Sequence, residues 1–592
     1  MKFNPIYVLL AYCLSSCTTE KEPERPNVIF IMADDQGYGD IGAHGNPYIQ
    51  TPNMDKLHNE SVSFTNFHVG TTCAPSRGGL LTGQYGNKVG VWHTIKGRHI
   101  LSNEVSTIAD VYKSNGYNTS IFGKWHLGDN YPFRPQDRGF NEVLIHGGGG
   151  IGQQPDYWNN DYFDDTYFRN GTPEKFEGYC TDVWFSEAKD FIEDNKGNPF
   201  FCYVALNAPH SPYNVPSKYS EIYKGNEQVP NPEFYGMITN IDENLGSLRS
   251  FLDSLKIAEN TILVYMTDNG TASGVRFDDD GNESKGFNAG MRGTKGSNYE
   301  GGHRVPFFIH WPNGKIDVQK SIDELVSYID FMPTLLDLCG INQTSDDVDG
   351  ISLRPLLNDK SLSDRVLIVD TQREEYLIKG RRPSVMTNEW RMTADDELFE
   401  IKGDVGQRIN VAPEHPEVMG RLMAAYELWW EKTSVLKDTY FYAIVGSEKA
   451  PEVTLFSHDL HMETGIPAWN QAQLRSGKGD NGFWAIEVVK PGDYEIELAR
   501  WPRESGLGIN EVAPEGDEIP GGVYYKEGIS LDIKSAQIKI GDQIEEVQIG
   551  EEDTEAKLVM HLDEGKYMVN SKFLLGDGTE KSVYYAYLKL AK

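Results

Sequence analysis

Asn27-Val28-Ile29-Phe30-Ile31-Met32-Ala33-Asp34-Asp35-Gln36-Gly37 decides how the rest of this chain is read. Residues 27–32 form a short apolar run with β-branched members, the pattern of a strand buried on both faces. The run stops at two adjacent carboxylates and a glycine. Open α/β sheets gather their ligands beyond the carboxyl ends of their strands, so Asp34 and Asp35 stand where oxygen ligands could hold a hard divalent cation.

The arrangement recurs along the chain. Residues 117–122 read as a second strand that leads to Lys124 and His126, residues 199–206 as a third that leads to His210, and residues 261–266 as a fourth that leads to Asp268 and Asn269. If the extended conformation continues past residue 122, Lys124 and His126 alternate and share a side. Helical patterns fall between these runs, at residues 107–115 and at 234–255, where Ile238, Ile241, Leu245, Leu248 and Leu252 make an apolar stripe. Lys295 sits in a glycine-rich loop, residues 291–302. Strands alternating with helices, with polar groups at several strand ends, predict an α/β fold, a doubly wound mixed sheet.

A second stretch carries the chemistry: Cys73-Ala74-Pro75-Ser76-Arg77-Gly78-Gly79-Leu80-Leu81-Thr82-Gly83. Pro75 fits a first helical turn, which places Cys73 just ahead of the helix, among unpaired N–H groups and the positive end of the dipole. Arg77 follows one turn later, on the same face as Cys73. Lys124 and His126 bring a cation and a proton-transfer group, which together suit an anionic transition state.

Taken in order, these blocks resemble the type I sulfatases of the alkaline-phosphatase superfamily, from about residue 25 to residue 432. The resemblance implies that Cys73 is the precursor of Cα-formylglycine, installed by a formylglycine-generating maturation enzyme, and that Arg77 supports it. It implies one Ca²⁺ held by Asp34, Asp35, Asp268 and Asn269, with residue 73 completing the set. Lys124 and Lys295 match the lysines that grip sulfate, and His126 and His210 match the two active-site histidines. The expected activity is hydrolysis of sulfate monoesters, with sulfated carbohydrate as the substrate class. Two rivals stand beside it. One is a phosphate or phosphonate monoester hydrolase of the same superfamily, against which Asn269 favours a single hard-cation site. The other is an inactive sulfatase fold that binds glycans at a cell surface.

Composition narrows the partners. The 592 residues carry 55 Lys and Arg against 88 Asp and Glu, a net charge of −33. Nucleic acid is excluded as a partner on this balance, because that affinity rests on neutralising phosphates with cations. An anionic substrate must be drawn in by local cations instead. At the N-terminus, Lys2 precedes an apolar run over residues 6–14, too short to span a bilayer. It ends in Leu14-Ser15-Ser16-Cys17, which resembles the lipobox of bacterial lipoproteins with Cys17 as the acylated residue. The expectation is an exported bacterial lipoprotein, periplasmic or at the cell surface, touching the membrane through its lipid anchor only. Cys73, Cys180, Cys202 and Cys339 remain, too few for a disulfide scaffold and enough for at most one bridge if Cys73 is consumed.

The expected division is a signal and tether at 1–22, a catalytic domain at 23–364, a small sheet-plus-helix subdomain at 365–437 and an accessory β-sandwich at 438–592. The subdomain rests on short strand patterns at 366–369, 391–392 and 398–401 before a helix at 416–431. The antiparallel sandwich rests on turns such as Pro491-Gly492-Asp493 and on alternating runs at 529–533, 536–540 and 582–590. The loop from His146 through Asp156, Trp158 and Asp165 offers rings and oxygens suited to sugars, and with His93 and Arg98 it supplies the candidate substrate contacts.

Overall fold

A computed structural model describes residues 25–342, 347–393 and 396–591. The lipobox and Cys17 lie outside the described residues. Strand Asn27–Ala33 occupies the middle of a ten-stranded sheet. Its neighbours Thr261–Thr267 and Phe200–Ala205 run parallel to it, and Asn118–Lys124 and Glu142–His146 continue the parallel run outward. Phe307–His310 beyond Thr261–Thr267 and Thr166–Arg169 beyond Glu142–His146 pair antiparallel, which makes the sheet mixed.

The central strand shows why its sequence is apolar throughout. Val28, Phe30 and Met32 point into one core, with Leu80, Leu81, Tyr112 and Leu335. Ile29, Ile31 and Ala33 point into the other, with Trp184, Phe185, Ile238 and Leu245. A period of two therefore divides one strand between two helical layers. The helices Cys180–Asn195 and Pro232–Leu255 cover one face, and Cys73–Thr82, Ile108–Ser114 and Phe331–Leu338 cover the other.

Residues 367–400 form an antiparallel four-stranded sheet, Leu367–Val369, Ser384–Met386, Trp390–Thr393 and Glu397–Glu400, followed by the helix Pro416–Thr433. Leu367, Val385, Met392, Leu422 and Tyr426 belong to the same apolar core as Val28 and Phe30.

From residue 443 on the chain is β-rich, with a core of its own that includes Val445, Ile486, Ile496, Ile538, Val569 and Leu588. It contains one four-stranded sheet and one six-stranded sheet. Two details differ from the sequence expectation. Ala443–Val445 pairs parallel to Phe483–Val488, so the unit is not wholly antiparallel. Residues 529–532 are irregular, and the strand there is Ile533–Ile540. Alternation read from sequence reports which side chains are buried, and a loop that crosses a core edge can show the same pattern. All four of Cys73, Cys180, Cys202 and Cys339 are free and buried, and no described helix is long and apolar enough to cross a membrane.

Candidate active site

The register between Asn27–Ala33 and Thr261–Thr267 sets Ala33 opposite Thr267. Both strands then end together, and the next residue of each is a carboxylate, Asp34 and Asp268. The Asp268 N–H donates to Ala33 O at 3.2 Å and the Asp34 N–H to Ala208 O at 3.0 Å, which holds three strand ends in one layer. Asp35 turns with φ +72°, and its N–H donates to Asp268 Oδ1 at 3.2 Å. Asn269 Nδ2 donates to Asp35 Oδ1 at 2.9 Å, while Asn269 Oδ1 is buried with no hydrogen-bond partner among the described residues.

Cys73 is the first residue of the helix Cys73–Thr82, not the residue before it, and Thr72 is the N-cap. Pro75 falls at the third helical position, where a missing N–H is still costless because the first turn has no internal acceptors. The thiol donates to Asp34 Oδ1 at 3.4 Å and accepts from Lys295 Nζ at 3.4 Å. Arg77, one turn on and fully buried, reaches Asp268 Oδ2 with Nε at 3.0 Å and Nη2 at 2.8 Å. Its remaining donors are used on Lys124 O, Tyr203 Oη and Leu206 O. Lys124 Nζ lies 2.6 Å from Asp34 Oδ2, and Lys295 Nζ lies 2.6 Å from Asp35 Oδ1. His210 approaches Asp35 Oδ2 at 3.8 Å through Nε2, and its Nδ1 donates to Ser211 O at 2.6 Å.

Three carboxylates thus face three fixed cations in a site with almost no solvent. Burial and the Asp34 charge push the Cys73 thiol up to about 12. The same two causes raise Asp268 to about 6. Burial opposes ionisation of Asp35, but Lys295 and His210 outweigh it and hold this carboxyl well below the usual range. Burial and then Lys295 lower His210 to about 4. The donor set suits a hard cation. Oxygens of Asp34, Asp35 and Asp268 converge with the Cys73 sulfur within 4.8 Å, and the bare Asn269 Oδ1 is the orphan that a cation would satisfy.

His126 is placed differently from the sequence expectation. The strand ends at Lys124, and His126 takes φ +62°, so the two side chains do not alternate along one extended segment. His126 Nε2 bonds Thr94 O at 2.9 Å, which assigns the proton to Nε2, and Nδ1 is buried without a hydrogen-bond partner among the described residues. Its ring lies 5.7 Å from that of His99 and 6.5 Å from that of His458, a residue of the C-terminal unit. Burial and Lys124 hold His126 well below its ordinary value.

The five candidate sugar contacts are buried and committed to partners within the chain. His93 Nδ1 accepts the Thr94 N–H at 2.6 Å. Arg98 sits on Glu375 at 2.9 Å between the rings of Trp92 and Tyr440. His146, the last residue of its strand, bonds Gly147 O at 2.9 Å. Asp156 accepts from the N–H groups of Gly147 and Gly152 and so braces the glycine loop. Trp158 packs against Trp501 and under Arg475. Their types fit sugar recognition, but a loop rich in rings and carboxylates looks the same in sequence when it serves as an interface. What sequence reading missed is the surface beside His210, where Trp469 and Tyr524 of the C-terminal unit face the loop that carries His210. No local pattern joins residues so far apart in the chain.

Comparison with known proteins identifies the family. Residues 26–341, just over half the chain, match the family model described as Sulfatase. The chain is 31% identical over 422 residues to N-acetylgalactosamine-6-sulfatase of Canis lupus familiaris, covering 67% of this chain and 78% of the relative. It is 30% identical over 406 residues to the ulvan-active sulfatase of Formosa agariphila, covering 62% of this chain and 73% of the relative. Among solved structures, Ps i-CgsB in complex with k-i-k-neocarrahexaose superposes with a TM-score of 0.63 at 26% identity, covering 71% of this chain and 95% of that one. The chain belongs to the sulfatase family and is a sulfuric ester hydrolase.

Proposed function

We propose that this protein hydrolyses O-sulfate monoesters on carbohydrate, with residue 73 as formylglycine and one Ca²⁺ at Asp34, Asp35, Asp268 and Asn269. The observation that carries the reading is the convergence of Cys73, three carboxylates, Arg77, Lys124 and Lys295 at the ends of adjacent strands. The carbohydrate class comes from the relatives, whose names specify N-acetylgalactosamine 6-sulfate and ulvan. When bound, the cation supplies positive charge that favours an ionised oxygen at residue 73 and offsets charge on the sulfuryl oxygens. A hydrated formylglycine supplies two hydroxyls on one carbon, one to attack sulfur and one to release it afterwards.

The chain's own residues do the rest. Cys73 Sγ marks the position from which the nucleophile acts, at the amino end of a helix whose free N–H groups favour an anion. Lys295 Nζ already lies against that position and Lys124 Nζ against the adjacent Asp34, so both are placed to grip sulfuryl oxygens. Arg77 locks Asp268 and has no donor left over for large movement. His210 is partly exposed and turns Nε2 toward the site, which places it to protonate the departing sugar oxygen once the negative charge of a bound sulfate ester favours its protonated form. Nδ1 of His126, without a hydrogen-bond partner among the described residues, is the group that takes a proton as sulfate is released from residue 73.

Purified protein co-expressed with a formylglycine-generating enzyme is expected to release sulfate from sulfated oligosaccharides in the presence of Ca²⁺, and Cys73→Ala is expected to release none. Faster turnover of phosphate than of sulfate monoesters by the fully converted protein would overturn the reading.

A further inference from the structure

Beside His210 opens a cleft of about 540 Å³ whose two walls come from different parts of the chain. The catalytic part supplies His210, Tyr213 and Gln153, and the C-terminal unit supplies Trp469, Asn470 and Tyr524. This volume falls within the range of about 300–1,000 Å³ typical of small-molecule sites. Trp469, Tyr213 and Tyr524 are all partly exposed; Trp469 and Tyr213 offer ring surface to a ligand, and Tyr524 carries the Lys526 ammonium 3.6 Å from its ring centre on one face.

The far wall is held in place by a seam of hydrogen bonds. Fully buried Asn214 donates to Asp161 O and to Val523 O, and it accepts the Val523 N–H at 2.7 Å. Tyr525 Oη donates to Asn160 O at 2.9 Å, and the Gln154 N–H donates to Trp469 O at 2.9 Å. Gln471 pairs with both Asn159 N–H and Tyr157 O. The loop around Asp156 and Trp158 is therefore the socket into which the C-terminal unit is fixed, and its partners 469–471 and 523–525 carry the lining rings. A wall fixed this firmly presents its aromatic groups to a ligand without an ordering cost at binding.

We propose that this composite cleft binds the sugar units next to the sulfated one, which makes the C-terminal unit part of the substrate site. The proposal rests on the reading of His210 as the group facing the leaving sugar oxygen, since that direction is where the rest of the glycan must run. Flat aromatic faces match the apolar C–H faces of pyranose rings, and Asn470 and Gln153 offer amide groups for hydroxyls. A free sulfated monosaccharide or an aryl sulfate would leave the cleft unfilled.

The test compares full-length, Cys73-converted protein with Trp469→Ala and Tyr524→Ala on three probes: nitrophenyl sulfate, and sulfated disaccharides and hexasaccharides from carrageenan and ulvan. The wild type is expected to favour hexasaccharide over disaccharide in kcat/KM. Each alanine variant is expected to cut that preference about tenfold, mainly through KM, a loss of about 1.4 kcal/mol. Tyr524→Phe keeps the ring and should keep the preference, which separates lost stacking from lost folding. In parallel, calorimetry on Cys73→Ala with the hexasaccharides should show binding that Trp469→Ala weakens by a similar factor. An unchanged preference in both alanine variants, with no change in hexasaccharide binding, overturns the proposal while turnover of nitrophenyl sulfate leaves the sulfatase reading intact. Fully converted protein that hydrolyses none of the probes sinks the catalytic reading instead, and the binding measurements still decide the cleft.

Discussion

Arg77 and Asp268 meet at 2.8 Å with neither side chain exposed to solvent. They come from the helix that presents Cys73 and the strand end that presents Asn269, so one ion pair fixes the nucleophile's helix to the carboxylate cluster. Breaking a buried pair from one side leaves the other charge unpaired. Arg77→Ala should lose about 3–5 kcal/mol of stability along with sulfate release. Arg77→Lys should also lose most activity, because a single ammonium cannot replace a fork whose arms reach Asp268, Tyr203 and two carbonyls. Urea unfolding and a sulfate-release assay on each variant decide this. A fully active Arg77→Lys would show that the fork is not needed.

Cys73 lies in a poor setting for a thiolate nucleophile. Burial and Asp34 raise its pKa to about 12, so at neutral pH the thiol is protonated and unreactive. Protein made without the maturation enzyme should carry an intact thiol at residue 73 and release no sulfate. Conversion should exchange the thiol for an aldehyde in the intact mass, and activity should rise in proportion to the converted fraction. Activity in protein shown by mass to be unconverted would contradict this.

The bare Asn269 Oδ1 and the converging carboxylates bear on cation binding. Calcium added to chelator-treated protein should raise the thermal midpoint, since a ligand at 100 times its Kd contributes about 2.7 kcal/mol. Asn269→Ala should weaken the response, and Asp35→Ala should remove it. Thermal melts at graded Ca²⁺ test this without any assay of activity. Equal midpoint shifts in wild type and Asp35→Ala would place the cation elsewhere.

Asp40 gives a pH dependence away from the cation ligands. It is fully buried, Oδ2 accepts the Gly37 N–H at 2.8 Å, and Oδ1 has no hydrogen-bond partner among the described residues. Burial raises its pKa to about 7, against the opposing hydrogen bond from the Gly37 N–H. A carboxyl raised on folding contributes its stability in full below the unfolded value near 4, and that stability is lost as pH climbs through about 7. At ~1.4 kcal/mol per pKa unit the loss is of the order of a few kcal/mol. Asp40→Asn keeps the acceptor for Gly37 and removes the titration. Its urea stability should fall less than the wild type's between pH 5 and pH 8, and parallel profiles would rule Asp40 out as the source.

Much of this protein was legible in its residues alone. The apolar run before Asp34 required a strand buried on both faces, because only such a strand places every side chain in a core. A helix start next to Cys73 and the placement of Arg77 one turn on followed from helical geometry and from a proline tolerated in the first turn, although the helix takes in Cys73 itself rather than starting after it. The same reading placed His126 beside Lys124 by simple alternation, and failed there because a positive φ redirects the chain after the strand ends. It also gave Trp158 and Asp156 to a sugar, where the tertiary structure packs Trp158 against the C-terminal unit and sets Asp156 on the N–H groups of the glycine loop. Period and spacing determine which side chains share a face of one element. Only the folded chain decides what lies opposite that face, and here it brings Trp469 and Tyr524 to the side of His210.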